Sequence, residues 1–176
     1  MPRRAIAPAV LLAALSAAFP AAALVAASPA AAPVAPPQLA GTWTLVAVDN
    51  VLADGTRTQP YGPHPEGILM FDAAGRYALQ ILRAGRARYA ANDKSRGTAE
   101  EYADTVMGTN SHFGRYLVDA GAGTLTFRIE HASYPNWEGT EQRRSFTLVD
   151  DLLTYTVPVT TTGGAAIGEV SWRRAR

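Results

Sequence analysis

Residues Thr124–Leu148 read TLTFRIEHASYPNWEGTEQRRSFTL. Leu125, Phe127, Ile129 and His131 alternate with Thr124, Thr126, Arg128 and Glu130. Successive strand residues face opposite sides of a sheet, so the first, apolar set is expected to point inward and the second outward. Farther on, Phe146 and Leu148 mark an inward face. Counting back by twos turns Arg144 and Gln142 inward and Arg143 outward. The middle, from His131 to Arg144, reads as a corner between two strands. Pro135 cannot donate to a central ladder, and Asn136 and Gly139 accept turn conformations. Tyr134 and Trp137 would then pack at the rim.

The same period of two runs outward from this stretch. Trp43, Leu45 and Ala47 alternate with Thr42 and Thr44. GILMFD and RYALQIL are joined by Ala73-Ala74-Gly75, a hairpin connection. HFGRYLVD follows, and LLTYTVPV and GEVSWRR close the series. Tyr77, Leu79 and Ile81 from one run, and Leu153, Tyr155 and Val157 from another, extend the inward wall. About eight strands at a spacing of roughly 8–12 residues predict an all-β, antiparallel sandwich or barrel. Closed at about eight strands, such a barrel has an interior that side chains fill or that holds one small ligand.

One segment departs from the period. Thr98 followed by Glu101 is a capping box, and Gly108 is a natural helix stop. Tyr102 with Val106, and Ala103 with Met107, form an apolar stripe at helical spacing. This predicts one short helix that either closes the core or lies over a cavity as a lid. The preceding AGRARYAANDKSRG is polar and predicts a mobile loop.

Composition narrows the function classes. The chain has 176 residues, no cysteine and a net charge of +1. Disulfides and thiol chemistry are excluded. Nothing in the charge points to nucleic acid, which calls for a basic patch. Arg3 and Arg4 precede a long alanine-rich apolar run, with Val25 and Ala27 at the small-residue positions of a cleavage site. Residues 1–27 are therefore expected to be a signal peptide, which implies a secreted or periplasmic protein without stable membrane insertion after cleavage. Residues 28–38 form an Ala/Pro-rich linker, and residues 39–176 the folded domain. Loss of Arg3 and Arg4 takes the net charge to −1.

Four blocks carry a resemblance: GTWTLVAVDNVLADG, YGPHPEGILMFDAAGRYALQILR, YPNWEGTEQRRSFTL and the terminal VSWRR. In order and spacing, from about Gly41 to Arg174, they resemble the lipocalin-like domain family of small bacterial and fungal proteins. The resemblance implies an up-and-down β-barrel with a central cavity and no single activity. It also implies a closure in which Gly41, Trp43, Trp172 and Arg174 plug one end. An arginine over an indole would contribute ~0.5–2 kcal/mol there. Alternation from Trp172 favours Arg174 over Arg173. Gln142 and Arg144 match family positions. The family often has histidine where Phe127 and Arg128 stand, which argues against carrying over an acid–base role.

The candidate chemistry centres on the barrel interior. His64, His112 and His131 lie in separate segments without ligand spacing, so no metal site is expected, and nothing calls for a cofactor. An inward Arg144 needs a partner. Two readings stay open. One is a structural ion pair, for example with Glu100 or Glu101. The other is an anchor for a carboxylate, enolate or phenolate on an apolar ligand. The expected function is binding of a small apolar or amphipathic ligand by Arg144, Gln142, His131, Tyr155, Tyr77, Trp137 and Tyr61. Alternatives are an isomerase, cyclase or dehydratase using the same cavity, with His131 or a tyrosine moving the proton, and a protein-interaction module.

Overall fold

The computed structural model describes residues 38–162 and 167–176. The proposed signal peptide 1–27, and the linker except Gln38, lie outside the described residues. Among the described residues nine antiparallel strands follow one another: β1 (Gly41–Val51), β2 (Arg57–Thr58), β3 (Glu66–Phe71), β4 (Arg76–Leu82), β5 (Thr109–Asp119), β6 (Thr124–Ala132), β7 (Glu141–Val149), β8 (Leu152–Val157) and β9 (Ile167–Arg174). From β3 onward each strand pairs with the next, and β9 returns to pair with β1. β1 and β3–β9 therefore form a closed, eight-stranded up-and-down barrel, which leaves these strands no free edge. The two-residue β2 adds to the end of β1.

Closure follows from alternation. Trp43, Leu69, Leu125, Phe127, Leu153 and Trp172 are almost fully buried and meet in one core. Thr124 and the outward arginines Arg115 and Arg128 take the other face. Arg76 and Arg115 on that face pair with Glu130, and Arg128 pairs with Glu141.

The period of two breaks at two bulges. In β1 the pairing with β9 shifts between Leu45 and Ala47. Trp43 and Leu45 face in before the shift; Val48 and Asn50 face in after it. The expected inward series through Ala47 therefore ends at Leu45. In β6 the pairing with β5 shifts so that Phe113 faces His131 while Gly114 faces Ile129. Glu130 is the additional residue, and a bulge of this kind turns every later side chain to the opposite face. Gly114 makes the bulge possible, because a Cβ there would lie 2.1 Å from the Arg128 carbonyl oxygen.

The helix α1 spans Ala99–Met107, with Thr98 and Glu101 forming the capping box. Its apolar stripe is not buried: Val106 is 69% and Met107 52% exposed. The polar segment before it, expected to be mobile, is tied to the helix. Arg83 pairs with Asp104, the Ala87 amide donates to Asp104 (3.1 Å), and the Ala90 amide donates to Glu101 (2.8 Å). The expected corner is a 3-10 turn at Pro135–Trp137, followed by Gly139 at φ +73°.

Candidate functional site

The barrel has unlike ends. The register sets Trp43 opposite Arg174 at one end and Asn50 opposite Gly168 at the other. At the first end the Arg174 guanidinium carbon lies 4.2 Å over the Trp43 ring. It donates to the carbonyl oxygens of Ala40 (2.9 Å) and Gln38, and it pairs with Asp151 at 3.5 Å. The Trp43 indole donates to the Leu39 carbonyl (2.9 Å). Gly41, at φ +131°, leaves space for the guanidinium, since a Cβ there would sit 3.3 Å from it. Trp172 packs in the wall between Leu45 and Leu153, and the arginine covers Trp43. This end is a plug.

The other end holds a chamber of about 50 Å³, lined by Asn50, Tyr61, Asn110, His112, Arg144 and Tyr155 among others. A vestibule of about 290 Å³ adjoins it between α1 and the 134–137 corner. Tyr61, Asn110 and Trp137 line both spaces. The interior is thus mostly filled by aromatic rings, with room at depth for only a few non-hydrogen atoms.

Arg144 is 3% exposed and forms part of the chamber wall. Its guanidinium lies over Phe127 (4.6 Å) and Tyr155 (4.8 Å). It donates to Gln142 Oε1 at 2.5 Å, while its Nε has no partner. Among the described residues no carboxylate pairs with it. Glu101 is occupied at the helix start, where it accepts from the Thr98 and Ala90 amides. Burial pulls the Arg144 pKa below its ordinary value, with the tyrosines Tyr155 and Tyr77 opposing. Burial also pushes Tyr61 and Tyr155 up.

His131 is not in this site. The bulge at Glu130 turns it outward, where its side chain is 66% exposed, beside Phe113 and 3.3 Å from Glu138. His112 on β5 takes the interior position instead, 2% exposed. Its Nδ1 lies 2.7 Å from the Tyr77 hydroxyl, and its Nε2 has no partner. Burial first, and the nearby Arg144 second, pull its pKa down to about 3. Tyr77 therefore stands behind His112, outside the chamber lining, and Gln142 acts through Arg144. Tyr61, Trp137 and Tyr155 do reach the lining. His64, in the turn before β3, is exposed. Sequence reasoning missed His112, Asn110 and Asn50. The signal for the first two was present: Arg115 and Tyr116 fix the phase of β5, and counting back from Tyr116 by twos reaches His112 and Asn110.

Among the described residues no three histidine, aspartate or glutamate side chains cluster as a metal site requires. No helix among them is long and apolar enough to cross a membrane.

A closed eight-stranded barrel, plugged at one end and polar at the base of its open end, defines a lipocalin-like architecture. The model of the lipocalin-like domain family matches residues 40–175, and the chain belongs to that family. A relative in Aspergillus oryzae, the 4'-hydroxy-3'-methoxypropiophenone carrier protein, is 28% identical over 105 residues, covering 55% of this chain and 95% of the relative. Similar solved structures include a lipocalin-like protein from Bacteroides uniformis, 16% identical with a TM-score of 0.42, covering 78% of this chain and 99% of that one. A redesigned β-barrel is 15% identical with a TM-score of 0.39, covering 79% of this chain and 93% of that one.

Proposed function

We propose that this barrel binds a small, mostly apolar ligand through one acidic or carbonyl oxygen, seated on Arg144, with the ligand body lying in the vestibule. The observation that carries the reading is a buried guanidinium without a carboxylate, its Nε unpartnered, at the base of an open pocket. A buried cation left short of partners is costly, and an incoming anionic oxygen removes that cost. Apolar walls with a few fixed polar groups are the usual make-up of a small-molecule site. The relative's name, which states a carrier of a small aryl ketone, supports the same class of ligand.

The competing enzyme reading needs a group that changes its protonation during turnover. His112 would have to take up a proton, and burial opposes it. Tyr61 and Tyr155 would have to release one, and burial opposes that too. Binding is the function this geometry favours.

The test is a titration with 4'-hydroxy-3'-methoxypropiophenone and with a fluorescent fatty acid, followed by calorimetry and tryptophan fluorescence. Saturable binding that weakens about tenfold or more in Arg144→Met supports the anchor. Binding unchanged in that variant removes it. We further propose export through residues 1–27, supported by the basic start, the apolar run and the Val25/Ala27 pattern. Intact mass of the protein recovered outside the cytoplasm tests it: cleavage after Ala27 is the expected result.

A further inference from the structure

Four buried polar atoms belonging to residues of the chamber wall have no protein partner: Arg144 Nε, His112 Nε2, Asn110 Oδ1 and Thr160 Oγ1, the last a hydroxyl that can donate or accept. Native structures leave few such atoms, and each calls for a reason. Two of their chemical roles are immediate. Arg144 Nε–H can only donate, and Asn110 Oδ1 can only accept. The third follows from Tyr77. Its hydroxyl, buried, has His112 Nδ1 at 2.7 Å as its hydrogen-bond partner among the described residues. A buried hydroxyl keeps its proton satisfied by donating it, so Nδ1 accepts and the ring proton of neutral His112 resides on Nε2. Arg144, His112 and Asn110 therefore offer two donors and one acceptor, beside the Thr160 hydroxyl, which can serve as either.

Resting on the anchoring role proposed for Arg144, we infer that the chamber selects a ligand head with two adjacent oxygens of different character. One is an acidic or carbonyl oxygen that accepts from Arg144 Nε–H and His112 Nε2–H. The other is a hydroxyl that donates to Asn110 Oδ1. An acyl catechol has this form: one phenolic oxygen is acidified by the acyl group, and a second hydroxyl stands beside it. The chamber size decides between a compact and an extended head. At about 50 Å³ it takes only a few non-hydrogen atoms, so two oxygens that both enter it are close neighbours. The rest of the molecule lies in the vestibule against Trp137, Tyr134 and the exposed Val106 and Met107 of α1. His112 serves as a neutral donor, positioned by Tyr77 and not charged. Asn110 and His112 are thus specificity-determining residues on β5, distinct from the anchor on β7.

The test compares 3',4'-dihydroxypropiophenone with 4'-hydroxy-3'-methoxypropiophenone, in which the second hydroxyl is capped. The unmodified protein is expected to bind the dihydroxy compound roughly tenfold more tightly, the worth of one buried hydrogen bond. Asn110→Leu should bring the two affinities together, whatever it does to either alone. The ¹⁵N chemical shifts of His112 need no variant and should report the Nε2–H form. Equal binding of the two compounds, or an Nδ1–H tautomer, overturns this inference and leaves the anchor standing. Binding of neither compound also overturns this inference, and the anchor then stands or falls on the fatty acid and Arg144→Met.

Discussion

The barrel holds two arginines over aromatic rings, and they differ in every other respect. Arg174 sits on Trp43 with two backbone carbonyls and Asp151 as partners. Arg144 sits between Phe127 and Tyr155 with one glutamine and an unpartnered Nε. The first is satisfied by its own chain and stabilises the fold. The second is left short, and a ligand can supply what the chain does not. The same residue type over the same kind of surface is a fastener at one end and a receptor at the other. The sum of hydrogen bonds, not the stack, distinguishes them.

The largest effect is expected at the plug. Trp43→Ala removes a fully buried indole and should lower stability by ~3–5 kcal/mol in chemical denaturation. Arg174→Ala follows, at ~1–3 kcal/mol, from loss of the stack and of the contacts to Ala40 and Gln38. Arg144→Met should do the opposite in kind. Thermal melting should show stability unchanged or raised by about 1 kcal/mol, since an incompletely paired buried charge is replaced by a side chain of similar length. If Arg144→Met is as damaging as Arg174→Ala, both arginines are structural and the contrast fails.

Acid tests the same end of the barrel. His112 is held at about 3 in the folded protein, below its ordinary 6.5. As pH falls below 6.5, the unfolded chain takes up the proton and the folded one does not. Stability is therefore complete above pH 6.5 and lost progressively toward pH 3, at about 1 kcal/mol per unit. His112→Gln should flatten that slope between pH 6.5 and 5 in denaturation midpoints. The smallest effect is expected at His131. His131→Ala should leave ligand affinity unchanged and stability within ~0.5 kcal/mol. A clear loss of binding would place the site on the outer wall and contradict the barrel mouth.

What the sequence could show depended on how far a period of two can be counted. It counts safely within a strand: Phe146 and Leu148 lead back to Arg144 and Gln142, and both lie on the inner side. The helix was legible because Thr98, Glu101 and Gly108 are local signals with local partners. Counting fails across a bulge, which inserts a residue without changing composition. Ile129 leads to His131 only if Glu130 occupies a regular position, and it does not. Asn50 was lost to the shift after Leu45 in the same way. The chamber's depth was not legible at all. It depends on rings contributed by separate strands, Phe127 from β6 and Tyr155 from β8, meeting around one guanidinium.

The bulge at Glu130 also bears on how such a pocket could be altered. Point substitutions change one lining residue at a time. Removing Glu130 would restore regular pairing but leave His131 opposite Phe113, on the outer face, and Ala132 on the inner one. Gly114, which accommodates the extra residue, would then be free to carry a side chain. A one-codon deletion there thus leaves the lining as it is, and His131 enters the barrel only if Glu130 pairs with Phe113 in a register shifted by one.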